Sequence, residues 1–148
     1  MKSIRRILVA VDLSKHSTAA LDWAIAFARE IGAEIELVHC YEISPLVSAY
    51  GERFPDTYDA ALRRAAGSGL SDQAHRVAAA GVRVREHLVK GDPSQEILEC
   101  ARQVGAELIA IGTRGASGLE HLLLGSVAER VIRRAPCPVV AVRSEARP

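Results

Sequence analysis

The chain has 148 residues, 49% of them hydrophobic and 25% charged, with a formal net charge of +1. That balance excludes disorder and suits one globular domain, residues 1–148, large enough to stabilise itself without disulfides or a structural metal. Nineteen basic residues against eighteen acidic ones, with 4% aromatics, give neither the basic footprint of a duplex-binding protein nor the stacking platforms of a single-strand binder.

Ile7 to Val11 is an apolar run that stops at Asp12. It is too short for a signal-peptide core or a bilayer span and reads as a first strand buried on both faces. Ala20, Ala24, Phe27 and Ile31 then recur at helical spacing before Gly32, which marks a first helix and its stop. Ile35 to Cys40 is a second strand, in which Glu34 and Glu36 predict a wetter face. Tyr41 to Pro55 holds Pro45, Gly51 and Pro55 and reads as a loop. Asp56 to Ala80 has helical character on both sides of Gly67-Ser68-Gly69, where a kink or break is expected.

Val82 to Val89 alternates apolar and polar at its start, as a half-exposed edge strand does. Asp92-Pro93-Ser94-Gln95 supplies an acidic cap, a proline in the first turn and a glutamine at the third position, so a helix begins there and ends at Gly105. Leu108 to Ile111 reads as a fourth, central strand. Ser126 with Glu129 forms an S-x-x-E capping box for a last helix, Pro136-Cys137-Pro138 stops it, Val139 to Val142 is a fifth strand, and Ser144 to Pro148 reads as a frayed tail. This alternation predicts an α/β fold, a doubly wound five-stranded parallel sheet with helices on both faces and its ligand site beyond the carboxyl ends of the first and fourth strands.

The fourth strand leads into Gly112-Thr113-Arg114-Gly115-Ala116-Ser117-Gly118, and Gly125-Ser126 opens the last helix. Gly112 and Gly115 are expected to adopt positive φ and let backbone approach a ligand, while Gly125-Ser126 is expected to present free amides to phosphate oxygens. A reading without ligand is also open, with the glycines as turn residues and Ser126-Glu129 as a plain helix cap.

Other nucleotide and metal signatures are absent. There is no GxxxxGK[S/T] and no early GxGxxG, and the third strand is followed by Lys90 instead of the clustered acids of a receiver site. His16, His39, His75, His87 and His121 are scattered without zinc-site spacing, and the three cysteines, Cys40, Cys100 and Cys137, form neither a disulfide framework nor a CxxC motif, which suits the cytoplasm. Cys137 between two prolines reads as a buried structural thiol, Trp23 as packing, and Asp12, taken alone, as the cap of the first helix.

Gly112-Thr113-Arg114-Gly115, then Leu122-Leu123-Leu124-Gly125-Ser126-Val127-Ala128-Glu129, then Ala135-Pro136-Cys137-Pro138-Val139 closely resembles the ATP-binding signature of the universal stress protein family. Val11-Asp12-Leu13-Ser14 and Gly91-Asp92-Pro93 resemble that family's first segment and the entry to its third helix. The resemblance implies a Rossmann-like fold with strand order 3-2-1-4-5, an ATP-binding, usually dimeric module of the stress response, and Mg²⁺ bridging the phosphates. It places Ala10 beside the nucleotide, Asp12 near the ribose or the phosphate-bound metal, and Val38 and His39 at the adenine. Gly112, Gly115, Gly125, Ser126 and Val127 would surround the ribose and phosphates. Arg114 either covers phosphate charge or is a solvent-exposed loop arginine.

In that strand order Val139, Val140, Ala141 and Val142 form an outer strand without a charged blocker, which predicts a homodimer pairing this edge with its mate. Slow or absent ATP hydrolysis is expected, because the motif supplies glycines and amides instead of a positioned base. Two other readings remain: a nucleotidyl or phosphoryl transferase using Asp12 or His39, and a nucleotide-independent dimeric interaction protein.

Overall fold

The computed structural model describes residues 2–43, 56–114 and 124–144. The strands are β1 (Arg6–Ala10), β2 (Glu34–Tyr41), β3 (Val84–Lys90), β4 (Leu108–Gly112) and β5 (Val139–Val142). The helices among the described residues are α1 (Lys15–Ile31), α2 (Asp56–Ala79), α3 (Pro93–Val104) and α4 (Ser126–Arg134). All strand pairings are parallel, in the order β3-β2-β1-β4-β5. The chain winds outward from β1 to β3, then crosses back to lay β4 on the other side of β1, so strand order reverses between β1 and β4. Two parallel strands splay their outgoing loops apart there and leave a crevice.

The two central strands are apolar on both faces because each face is covered. Ile7, Val9, Leu37 and Ala110 join α1 and α2 in one core layer, while Leu8, Val38, Ile109 and Ile111 join α3 and α4 in the other. No helix among the described residues is long and apolar enough to cross a membrane.

Glycine stops and the acidic cap stand where expected. Gly32 and Gly105 take left-handed φ of 71° and 65° at the ends of α1 and α3. Asp92 caps α3 by accepting from the Gln95 amide at 3.1 Å, and the Ser94 hydroxyl first, then that amide, hold its carboxyl below the usual carboxylate range.

Five local expectations need correction. The buried stripe of α1 is Ser17, Ala20, Leu21, Ala24 and Ala28; Ile31 is exposed, and Phe27 stacks on Trp23 at its margin. The cap of α1 is Ser14, whose side chain accepts from the Ser17 amide, while Asp12 Oδ1 accepts from Ser14 N at 3.0 Å one turn earlier. Helix α2 runs unbroken through Gly67-Ser68-Gly69, because Ala66, Leu70, Ala74 and Val77 keep one face buried across the glycines. Glu36 is 1% exposed instead of wet, since it pairs with His87 of β3. Ser144 is tied down, with His16 Nδ1 2.7 Å from its hydroxyl. Most of the predicted 41–55 loop, from residue 44, and the tail beyond Ser144 lie outside the described residues.

Candidate functional site

A cavity of about 270 Å³ opens beyond the carboxyl ends of β1, β2 and β4, at the reversal of strand order. The alternation of the strands decides which side chains reach it. Ala10 leaves β1 and Val38 leaves β2 toward this face; Cys40 follows two residues on, and His39 points to the other face. His39 does not line the cavity: it is buried and its Nδ1 donates to the Val11 carbonyl at 2.8 Å, tying the end of β2 to that of β1. The first turn of α3 closes one wall with Pro93 and Ile97, and Ile111 of β4 completes an apolar floor.

Asp12, Gly112, Thr113 and Arg114 form the rim with Ser17 of α1. Ser17 Oγ accepts from the Asp12 amide at 3.3 Å and donates to the Ser14 carbonyl at 3.1 Å, so one buried hydroxyl fixes the turn that carries Asp12. Gly112 does not have positive φ. Its requirement is steric: a Cβ there would sit 3.0 Å from the His16 carbonyl oxygen, so glycine lets β4 pass against the first turn of α1. Gly115, Gly118 and His121 lie outside the described residues.

Gly125, Ser126, Val127 and Ala128 bring the N-terminus of α4 to the cavity. The Gly125 amide, expected to be free, is used internally: Gly125 N donates to the Thr113 carbonyl at 2.5 Å, and Thr113 N in turn donates to Val142 O at 3.1 Å. The capping box does not form. Gly125, at φ −70° and ψ 159°, is the N-cap and makes no side-chain cap bond, while Ser126 is the first helical residue and Glu129 pairs with Arg133. The first intrahelical bond is Glu129 N to Gly125 O. Among the described residues no acceptor is therefore provided for the amides of Ser126, Val127 and Ala128, three of the donors a helix start leaves unsatisfied. They carry the positive end of the helix dipole at the cavity wall.

The thiols at and below the floor are chemically quiet. Burial first, then the charge of Glu96, pushes Cys40 up to about 12, and burial then Glu36 pushes Cys100 up to about 11. Both stay neutral at physiological pH, so the floor is apolar in character and not a thiolate site. Cys137, half-buried, is also raised by burial. Among the described residues no group of three His, Cys, Asp or Glu side chains is arranged to hold a metal by itself.

Sequence reasoning named ten binding residues: Ala10, Asp12, Val38, Gly112, Arg114, Gly125, Ser126 and Val127 line one cavity, His39 does not, and Gly115 lies outside the described residues. The same reasoning missed Cys40, Pro93, Ile97 and Thr113, and with them Val11, Ser17, Ile111 and Ala128. The first was readable, since strand alternation makes Cys40, not His39, the companion of Val38; the α3 residues were not, because helix placement on the sheet leaves no local mark.

The profile of the universal stress protein family matches residues 3–143. A universal stress protein of Methanocaldococcus jannaschii is 35% identical over 94% of this chain and 82% of its own length, and one of Thermus aquaticus is 38% identical over 94% and 98%. Among solved structures, a universal stress protein in complex with cAMP superposes with a TM-score of 0.74 at 26% identity, covering 97% of this chain and 100% of that one. Another, from Archaeoglobus fulgidus in complex with dAMP, superposes with a TM-score of 0.67 at 28% identity, covering 95% and 99%.

Proposed function

The chain belongs to the universal stress protein family, and from that premise we propose that it is a cytoplasmic ATP-binding regulatory module of the stress response, with residues 1–148 acting as one domain. The observation that carries this reading is that Ser126, Val127 and Ala128, whose amides have no acceptor among the described residues, line a cavity at the reversal of strand order. Two similar structures hold adenine nucleotides, cAMP and dAMP. An adenine ring would lie on the apolar floor of Ala10, Val38, Ile97 and Ile111, and the phosphates would meet the start of α4, with Arg114 at the rim.

Mg²⁺ fits this site as an ion carried by the nucleotide. The described lining supplies one carboxylate, Asp12, and magnesium is commonly held by one or two carboxylates together with substrate phosphates. Bound there, it would neutralise phosphate charge. Asp12 would orient it or hold the ribose, and the amides of α4 would hold the anionic oxygens. Fast phosphoryl transfer needs a group that positions the attacking nucleophile. Asp12 Oδ1 is already committed to Ser14, and the His39 ring to the Val11 carbonyl, which supports turnover well below the roughly 1 per second of ordinary kinases and disfavours the transferase reading.

Thermal melting with and without ATP and Mg²⁺ tests the proposal. Ligand at a hundred times its dissociation constant stabilises by about 2.7 kcal/mol, which raises the melting temperature of a chain this long by roughly 5–10 °C. No shift at millimolar ATP would transfer the case to the nucleotide-independent reading.

The edge of β5 supports a homodimer. Val139, Val140 and Val142 are half-buried, Ala141 is exposed, and no charged side chain interrupts the strand. Pairing with a second copy covers its unpaired backbone groups. Sedimentation at micromolar concentration is expected to give a dimer, and Ala141→Lys a monomer; a monomeric parent protein would remove this part of the proposal.

A further inference from the structure

The glycine pair in the middle of α2 is the sequence feature that the nucleotide reading leaves unexplained. The two glycines are not equivalent. A Cβ at Gly67 would lie 3.5 Å from Leu88 Cδ2, an ordinary contact, whereas a Cβ at Gly69 would lie 2.5 Å from Leu13 Cδ1. The notch at Gly69 is filled by a side chain from the turn after β1. That same Leu13 is the only non-glycine among the described residues with positive φ, at 65°. A left-handed conformation is unfavourable for a bulky L-residue and persists only where its surroundings hold it. Leu13 stands between Asp12, on the cavity rim, and Ser14, the cap of α1.

We infer that Leu13 is a positioning residue: seated in the notch that Gly69 leaves in α2, it holds the left-handed turn that presents Asp12 to the nucleotide. The inference rests on the nucleotide reading above and deepens it by naming what sets the geometry of the acidic rim. Three hydrogen bonds define the turn locally, Ser14 N and Oγ to Asp12 Oδ1 and Asp12 N to Ser17 Oγ. All are within five residues and reach no further than the first turn of α1, so none ties the turn to α2. The Leu13 side chain supplies that tie. Its 38% exposure makes the contact a seat on the surface of α2 instead of a core anchor, so it can be lost without unfolding the protein.

The test sets two effects of opposite sign against each other. Helix propensity alone favours alanine at both glycines. Gly67→Ala is therefore expected to raise the melting temperature and leave the affinity for ATP with Mg²⁺ unchanged. Gly69→Ala is expected to displace Leu13 and weaken that affinity by roughly five- to tenfold, the factor by which the competent turn loses population once its strain is unsupported. Adding Leu13→Gly to Gly69→Ala removes both the clash and the strain, because glycine takes φ of 65° freely, and should restore affinity to within about twofold of the parent. A merely structural defect in α2 would not be repaired by a substitution in another element.

Isothermal titration reads the affinities, and amide exchange at Asp12 and Ser14 reads the turn without ligand. Faster exchange there in Gly69→Ala, reversed by Leu13→Gly, is expected. Unchanged affinity and exchange in Gly69→Ala, or failure of the rescue, would overturn the inference, since Leu13 would then have swung into solvent with the turn intact or α2 itself would be at fault. A parent protein that binds no ATP overturns the nucleotide reading and Asp12's role with it, while the exchange result still decides whether Leu13 holds the turn.

Discussion

His87→Ala is expected to lower stability by about 3 kcal/mol, the cost of leaving a buried carboxylate without its hydrogen-bond donor. Glu36 is 1% exposed in the second strand of the sheet, and His87 Nε2 donates to its Oε2 at 2.5 Å. The carboxylate faces α3, where its charge contributes to raising the Cys100 thiol. Arg85 reaches Oε1 at 3.4 Å, but its side chain is 67% exposed, so it is a weaker, solvent-screened partner. Losing His87 strands a carboxylate away from water. For a chain of this length the loss corresponds to a melting temperature lower by roughly 6–12 °C. Removing both groups together is different: Glu36→Leu with His87→Leu is expected to come within about 1 kcal/mol of the parent, because replacing both partners of a buried hydrogen bond by apolar side chains leaves no polar group unsatisfied. Chemical denaturation of the two single variants and the double variant measures the coupling. A His87→Ala loss below about 1 kcal/mol would mean that Arg85 alone compensates Glu36.

The pair also specifies where β3 sits. Glu36 stands opposite Arg85 and Val38 opposite His87. A slip of one residue along this outer strand turns His87 to the other face and leaves Glu36 buried without it. An edge strand whose apolar residues, Val84, Leu88 and Val89, are only half-buried has little hydrophobic patterning to set its register, so the polar contact supplies what the apolar pattern lacks.

This pair marks the boundary of what the sequence could convey. The buried strands, the glycine stops at Gly32 and Gly105 and the Asp92 cap were legible because each is a local matter of periodicity, left-handed backbone or a side chain reaching its own helix. The features that were not legible depend on a partner far along the chain. Glu36 alternates with apolar residues as a surface position would, and only His87, fifty-one residues on, makes it a core residue. Gly69 reads as a helix breaker until Leu13, from another element, is seen to fill its notch. Gly112 reads as a ligand glycine, yet the atom it accommodates is the His16 carbonyl. The site itself was largely legible because its residues sit at strand ends and at a helix start. The errors there concern local detail: His39 turns to the other face, Gly112 keeps a negative φ, the capping box does not form, and Gly125 spends its amide on the fold.

Ser126→Pro isolates the donors that remain. Ser126 is the first residue of α4, where proline is well tolerated because its missing N–H has no intrahelical partner and its fixed φ suits the helix. Gly125, at φ −70° and ψ 159°, already has the extended conformation that a residue before proline requires. The substitution is therefore expected to leave the melting temperature of the free protein unchanged or slightly higher. It deletes one amide facing the proposed phosphate position, together with the hydroxyl, and a hydrogen bond to a charged group contributes about 1.5–3 kcal/mol. Affinity for ATP with Mg²⁺ should fall by roughly 10- to 100-fold, while affinity for adenosine, which lacks the phosphates, should not change. Ser126→Ala separates the two donors: it removes only the hydroxyl, and if the backbone amide carries the contact it retains most of the affinity. Equal loss in Ser126→Ala and Ser126→Pro would assign the contact to the side chain. Parallel loss of adenosine and ATP binding in Ser126→Pro would show that the start of α4 shapes the cavity instead of holding the anion.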